Sequence, residues 1–215
     1  MIFKNSQQDI HIREELNVKK VALKISGGAD SAIVAYMLCK FITEERPDIT
    51  IIPITTIHGQ KPFQEIYATK VIDFLKNQFG NIFGKHYVNL SPHKSQYVQK
   101  QQEIWYTALD KEYFQSSYVG ITSNPPLEVQ KTFSKDGKVS ERDGKNFPIK
   151  DRISWRHLVN IDKKGVCELY ESLGVIDTLF PITRSCEEYT LGPFDTHCGK
   201  CWWCQERFWG FGKLV

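Results

Sequence analysis

The apolar positions of this chain fall into short unbroken runs that alternate with longer stretches of helical spacing. The first run, Val21-Ala22-Leu23-Lys24-Ile25, reads as a short buried strand and leads straight into the glycine pair Gly27-Gly28. From Asp30 the residues Ile33, Val34, Met37, Leu38 and Phe41 share one helical face, which predicts a helix stopped before Pro47. Thr50 to Ile57 is rich in β-branched residues and reads as a second strand, with Pro53 pointing to an irregular or edge position. Phe63, Ile66, Tyr67, Val71, Phe74 and Leu75 predict a second amphipathic helix, and His86 to Leu90 a third strand. A long helix from about Ser95 to Gln115 and a strand at Tyr118 to Thr122 follow. Ser123 to Arg152 has no periodicity and reads as a flap or insertion. Helical spacing resumes from Asp162 to Leu173, with Gly174 as the stop. Strands alternating with helices predict an α/β fold with a doubly wound, mostly parallel sheet.

Composition narrows this only slightly. The chain has 215 residues, the size of one globular domain with at most a small appendage. Hydrophobic residues at 41% and charged residues at 25% exclude a collagenous or disordered chain. No apolar span has the length a bilayer requires, so no membrane partner is expected. Met1 to Lys20 lacks the pattern of a secretory signal, so a cytoplasmic location is expected. A formal net charge of +3 forms no basic stripe, and nucleic acid is not an expected partner.

Candidate chemistry changes the picture more. Behind the first strand, Ser26-Gly27-Gly28-Ala29-Asp30-Ser31 places two residues without side chains where the backbone can approach a ligand, then opens a helix. The N–H groups of a helix N-terminus suit phosphate, and the hydroxyls of Ser26 and Ser31 add donors. Asp30 either holds a magnesium ion or caps the helix. Read alone, the glycine pair is an ordinary tight turn.

The second constellation is Cys198-Gly199-Lys200-Cys201-Trp202-Trp203-Cys204, three thiols at two-residue gaps, with Cys186 eleven residues before Cys198. Four soft ligands of this spacing predict a closed, structural zinc knuckle, with an iron–sulfur site or simply reduced cysteines as the alternatives. His197 is a substitute ligand for Cys198. Trp202, Trp203, Phe208, Trp209 and Phe211 read as packing under the knuckle or as a dimer surface.

Ser-Gly-Gly-x-Asp-Ser behind a first strand resembles the signature of the PP-loop ATP pyrophosphatases, which share a HUP-type, Rossmann-like sheet. The loop also lacks the Walker A and dinucleotide-binding glycine patterns. The resemblance implies that Ser26, Gly27, Gly28, Ala29, Asp30 and Ser31 bind the phosphates of ATP, with Thr55 and Thr56 near the adenine. Together with Cys186, Cys198, Cys201, Cys204 and Arg207, the chain is similar to the zinc-containing 7-cyano-7-deazaguanine synthase family. His58-Gly59-Gln60 parallels a Tyr-Gly-Gln of that family, Thr183-Arg184-Ser185-Cys186 a Thr-Trp-Ser-Cys, and Lys163 a lysine that meets phosphate.

This resemblance implies ATP, magnesium and zinc as cofactors, and AMP and pyrophosphate as products. It implies ammonia and a 7-carboxy-7-deazaguanine, or a close analogue, as substrates, and a homodimer as the assembly. Asp30, Ser31, Lys163 and Arg184 become the expected catalytic residues, Gln60 an ATP contact, and Lys24 and Arg207 further candidate cations. Residues 1–183 would form the ATP-binding domain, with the insertion at about 123–152, and residues 184–215 the zinc-binding segment. Where the family carries Tyr-Pro-Asp-Cys-Arg, this chain has Ile121-Thr122-Ser123-Asn124-Pro125-Pro126, with Asn124 and Glu128 as polar contacts for a different acceptor. The competing expectations are another PP-loop reaction, such as tRNA base modification or amidation of a different carboxylate, and a non-enzymatic ATP-binding zinc module.

Overall fold

The structure, a computed structural model, describes residues 1–58, 63–91, 114–133, 154–186 and 196–215. Its centre is a five-stranded sheet in the order β5-β4-β3-β6-β7, in which every pairing is parallel. The strands are β3 (Lys20–Lys24), β4 (Thr50–His58), β5 (Tyr87–Ser91), β6 (Ser116–Val119) and β7 (Ser154–Trp155). Helices α1 (Ala29–Glu45) and α2 (Phe63–Phe79) follow β3 and β4. The chain winds outward in both directions from β3, which makes the sheet doubly wound, as the alternation of strands and helices predicts.

Helix α1 is buried along most of its length, as its many apolar positions on all faces require. It packs against α2 on one side and against α4 (Lys163–Ser172) on the other. Asp162 caps α4 by accepting from the N–H groups of Lys164 and Gly165, and Gly174 ends the segment at φ +68°. A 3-10 turn (Phe180–Ile182) then leads to the C-terminal helix α5 (Trp202–Phe211).

Several sequence expectations need correction. Pro53 lies not on an edge but in β4, between β3 and β5. Thr50 N and Ile54 O bond toward the β3 side and Ile51 toward residues 82–84, so by alternation the nitrogen of Pro53 faces the β5 side. The ladder there is interrupted between the Ile51–Phe83 bridge and the pairing of Ile54 with Tyr87, so the position is irregular, as the missing donor suggests, without being an edge. The strand expected at Tyr118 to Thr122 starts and ends earlier, at Ser116–Val119, because Ser116 and Ser117 are buried in register with Val21 and Ala22. The stretch after Ser123 is not wholly irregular, since Leu127–Phe133 forms a short helix, α3. The remainder of that expected insertion, to residue 153, and most of the helix expected from Ser95 lie outside the described residues. Phe114 and Gln115 are not helical.

The N-terminal hairpin of β1 (Ile2–Phe3) and β2 (Ile10–His11) was not foreseen, because two-residue strands carry no periodicity. Asn5 and Gln7 in its turn donate to Gly165 O and Asp162 Oδ1, each at 2.7 Å, and so tie it to α4. Just beyond the hairpin, the Glu14 carboxylate accepts from Trp155 Nε1 at 3.0 Å and from Ser116 Oγ. Burial outweighs these bonds and raises the carboxyl above its ordinary 4.5. A folded-state pKa above the unfolded one means that the native state binds the extra proton, so stability from this group falls as pH rises through the raised value. Glu14→Gln keeps both donors satisfied and removes the charge. The variant is expected to gain stability relative to the natural protein between pH 5 and pH 8, as read from denaturation midpoints at the two pH values.

Candidate active site and metal centre

Sheets of this type bind ligands where the strand order reverses, at the carboxyl ends of the strands. Here that point lies between β3 and β6, and a cavity of about 390 Å³ opens there. That volume suits a small molecule, for which roughly 300–1,000 Å³ is usual.

The floor of the cavity is the glycine loop. Gly28, not Asp30, is the N-cap of α1, and no side chain caps the helix. The first-turn N–H groups therefore lack an intrahelical partner at a wall formed by Gly28, Ala29, Asp30 and Ser31. Ser31 Oγ donates to Gly28 O at 3.0 Å and lies 3.2 Å from Ser26 Oγ, so the two hydroxyls brace the turn.

The two glycines do different work. Gly27 has φ +76°, and a Cβ there would meet Tyr67 and stand 2.6 Å from Ala68 N. Gly28 has φ −80°, and a Cβ there would meet nothing closer than Ser26 Oγ at 3.4 Å. Gly27→Ala is expected to cost roughly 2 kcal/mol or more of stability through strain and overlap with α2. Gly28→Ala should leave the unfolding midpoint nearly unchanged yet weaken nucleotide binding, since its methyl group stands in the cavity wall. Calorimetric titration and thermal melts of the two variants separate these effects.

Lys163 opens α4 and is buried, and its Nζ lies 2.6 Å from both carboxylate oxygens of Asp30. The carboxylate of Glu206, also buried, lies 3.7 Å from the same nitrogen. Tyr170 of α4 supports the loop from below by donating to Ala29 O at 2.8 Å. Arg184 lines the cavity, and its backbone N–H donates to Gly27 O at 2.9 Å. Its guanidinium stands 4.6 Å from the Phe63 ring centroid and donates to Thr196 O. Ser26, Gly28, Ala29, Asp30, Ser31, Lys163 and Arg184 are thus brought to one cavity.

Other expected residues lie elsewhere. Thr55 and Thr56 are buried and do not line the cavity. Thr55 Oγ1 donates to Ile25 O at 2.7 Å, so His86 Nε2, 2.8 Å away, carries the hydrogen toward it. Gln60 lies outside the described residues. Lys24 does not line the cavity, and burial pulls its ammonium down to about 8. Asn124 and exposed Glu128 also lie off the cavity wall.

Arg207 is a structural residue rather than a phosphate contact. It is fully buried, donates to Phe180 O, Leu214 O, Val215 O, Thr183 Oγ1 and Ser185 Oγ, and stacks 3.8 Å from the Phe180 ring centroid.

Glu206, Trp203, Gln64 and Gly120 line the cavity but were not singled out as site residues from sequence. A signal existed for Glu206. Trp203, Glu206 and Gly210 recur on one face of α5, and a Cβ at Gly210 would stand 2.7 Å from Lys163 Cβ, so the glycine lets this face close on α4.

The four thiols of Cys186, Cys198, Cys201 and Cys204 lie within 4.8 Å of one another. Sγ atoms are 3.8 Å apart for Cys198 and Cys204 and 4.0 Å apart for Cys186 and Cys201. A tetrahedral ion with metal–sulfur bonds of about 2.3 Å spaces its sulfurs at about 3.8 Å, so the set fits a single ion. Cys198 Sγ accepts from the N–H groups of Lys200 and Cys201, and Gly199 makes the turn at φ +68°. His197 is not one of this set; its Nε2 accepts from Ser185 N at 3.3 Å. Cys186 also lines the cavity, so the centre is a wall of the candidate site and not only a C-terminal staple. Of the aromatic residues around it, Phe211 is packed against Tyr170 and Phe180 and Trp202 against Phe133, whereas Phe208 is exposed.

The fold has a solved counterpart. The U34-tRNA thiolase NcsA from Methanococcus maripaludis, with its 4Fe-4S cluster, superposes with a TM-score of 0.50 at 16% identity, over 88% of this chain and 63% of that one. The fold is of the HUP type. At that identity the likeness concerns the fold, and this chain spans less than two thirds of the thiolase's length. No family model and no curated protein matches the chain. Among the described residues no helix is long and apolar enough to cross a membrane.

Proposed function

We propose that the chain is an ATP pyrophosphatase of the PP-loop type, which cleaves ATP to AMP and pyrophosphate and transfers the adenylyl group to an acceptor. The observation that carries this reading is the uncapped N-terminus of α1, set at the switch point of the sheet in one cavity with Lys163 and Arg184. Donors fixed in place before the ligand arrives stabilise charge growing on a leaving pyrophosphate without reorganisation. The loop N–H groups would bind the phosphates. Lys163 would neutralise the leaving group, and Asp30 would share magnesium with the phosphate oxygens, since magnesium takes one or two carboxylates and completes its shell from substrate and water. The spacing of the four thiolates favours zinc, which here would hold the chain in place.

Phe63, Ile121 and Trp203 give the acceptor side of the cavity an apolar, aromatic character that suits a planar heterocycle. The acceptor favoured by the sequence motifs is a 7-carboxy-7-deazaguanine, activated at its carboxylate, converted by ammonia to the amide and, after a second activation, to the nitrile. A second reading, tRNA base modification, is supported by the fold shared with a U34-tRNA thiolase. Incubation with ATP and magnesium, either with 7-carboxy-7-deazaguanine and ammonia or with unmodified tRNA and a sulfide source, decides between them. Acceptor-dependent AMP and a nitrile product by mass spectrometry are expected in the first mixture. A thiolated nucleoside in the second would transfer the assignment to tRNA, and acceptor-dependent AMP in neither would overturn the deazaguanine and tRNA readings together.

A further inference from the structure

We infer that metal bound by the four cysteines sets the affinity of the glycine loop for nucleotide, so that the two sites are thermodynamically linked. The inference rests on the reading of the loop as an ATP site. Two arms run from the thiols to the loop, and they end on opposite sides of it.

The first arm starts at Cys186. Two residues earlier, the backbone N–H of Arg184 donates to Gly27 O, and between them Ser185 N–H donates to His197 Nε2. The Arg184 side chain donates to Thr196 O, so the segments entering the centre at Cys186 and at Cys198 are held side by side. The thiols pin both segments, and the carbonyl of the positive-φ glycine depends on that register.

The second arm starts at Cys204 in the first turn of α5. One half-turn on, Glu206 faces Lys163 at 3.7 Å, and Lys163 holds both oxygens of Asp30 at 2.6 Å. Asp30 lies in the first turn of α1, beside the N–H groups that line the cavity. An ion that fixes the position of α5 therefore fixes the carboxylate that orients Lys163.

Four thiols within 4.8 Å of one another suit a shared cation, which would hold them there. When it leaves, both arms lose their anchor, and the loop must be ordered by the nucleotide alone. Linkage is reciprocal, so nucleotide must tighten metal binding by the same factor by which metal raises nucleotide affinity, a factor of roughly 5–150 for a typical coupling.

Zinc-loaded protein is mixed with a chromophoric zinc chelator, 4-(2-pyridylazo)resorcinol, with and without saturating magnesium ATP. At equilibrium the chelator concentration that removes half of the zinc is expected to rise at least about fivefold with ATP. Gly28→Ala, which keeps both arms, should need more ATP to reach the same protection. Glu206→Gln keeps all four thiols and the first arm, so it should load zinc as the natural chain does while ATP protection falls only part of the way. Calorimetric titration of the zinc-loaded protein with magnesium ATP runs alongside. Failure to bind ATP there would overturn the ATP-site reading itself. Normal ATP binding with an unchanged equilibrium share of zinc between protein and chelator would overturn the linkage alone, and full protection in Glu206→Gln would remove the second arm from it.

Discussion

Lys163→Met is expected to reduce ATP cleavage by at least about 100-fold, the scale on which removing one preorganised electrostatic donor acts. The same change should lower stability by roughly 3–5 kcal/mol, because it leaves two carboxylates facing each other without their cation. Asp30 and Glu206 approach Lys163 from α1 and α5, so the lysine joins three helices as well as facing the cavity. Asp30→Asn leaves the buried lysine paired with Glu206 only, so it too should cost stability, and Asp30→Ala more. In the double variant Asp30→Asn/Lys163→Met the stability losses should fall short of their sum by about 1 kcal/mol or more, since each single change strands the other partner. Activity should not recover, because both groups face the phosphate side. Urea denaturation of the four proteins and their initial rates of AMP formation check both halves. Additive stability losses would show that the two side chains act independently.

How much of this could be read beforehand depended on range. The strand, glycine turn and helix from Val21 to Phe41 were legible because a period and a turn residue are local signals, and the loop falls where they put it. The cysteine spacing was legible for the same reason, and the thiols do converge. What was not legible depends on contacts between segments apart in sequence, as for Lys163 and Asp30, which are 133 residues apart. Nothing near Lys163 in sequence says that Asp30 will meet it, and a lysine at a helix start is more often a solvated charge. Glu206 was overlooked as a site residue, although it shares a helical face with Trp203 and Gly210, because it lies among cysteines and aromatics whose local reading was packing. Pro53 left an edge and an irregular interior position both open, because the choice is a property of the sheet order, and the gap in the neighbouring ladder that decides it cannot be seen from β4 alone. Arg207 stood in sequence beside a predicted metal knuckle and suggested a phosphate contact, whereas five oxygen acceptors turn it inward.

Arg207→Met should therefore destabilise the protein by about 3–5 kcal/mol while moving the KM for ATP little in the folded fraction. The reasoning turns on what stays behind. Replacing a buried charge by an apolar side chain can be neutral when its partners are replaced too, but here the partners include three main-chain carbonyls that no substitution removes. Burial lowers the guanidinium only to about 10, so the side chain stays charged at neutral pH. With the folded value below the unfolded one, its contribution changes only between about pH 10 and the higher ordinary value of arginine, rising with pH, so the loss in Arg207→Met should be the same at pH 6 and pH 8. Arg207→Lys retains the charge but not the planar fork, and should still cost about 2 kcal/mol or more because one ammonium cannot reach all five oxygens. For a chain of this size 3–5 kcal/mol corresponds to a fall of roughly 6–20 °C in the unfolding midpoint. A lysine variant with a normal midpoint and a raised KM would reverse the assignment and return Arg207 to the phosphate site. The fork joins the turn at Phe180 to Thr183 with the end of α5, and those are the two ends of the segment that carries every thiol of the metal centre. Loss of that clamp is accordingly expected to speed zinc transfer to chelator, even where the cysteines and the glycine loop are intact.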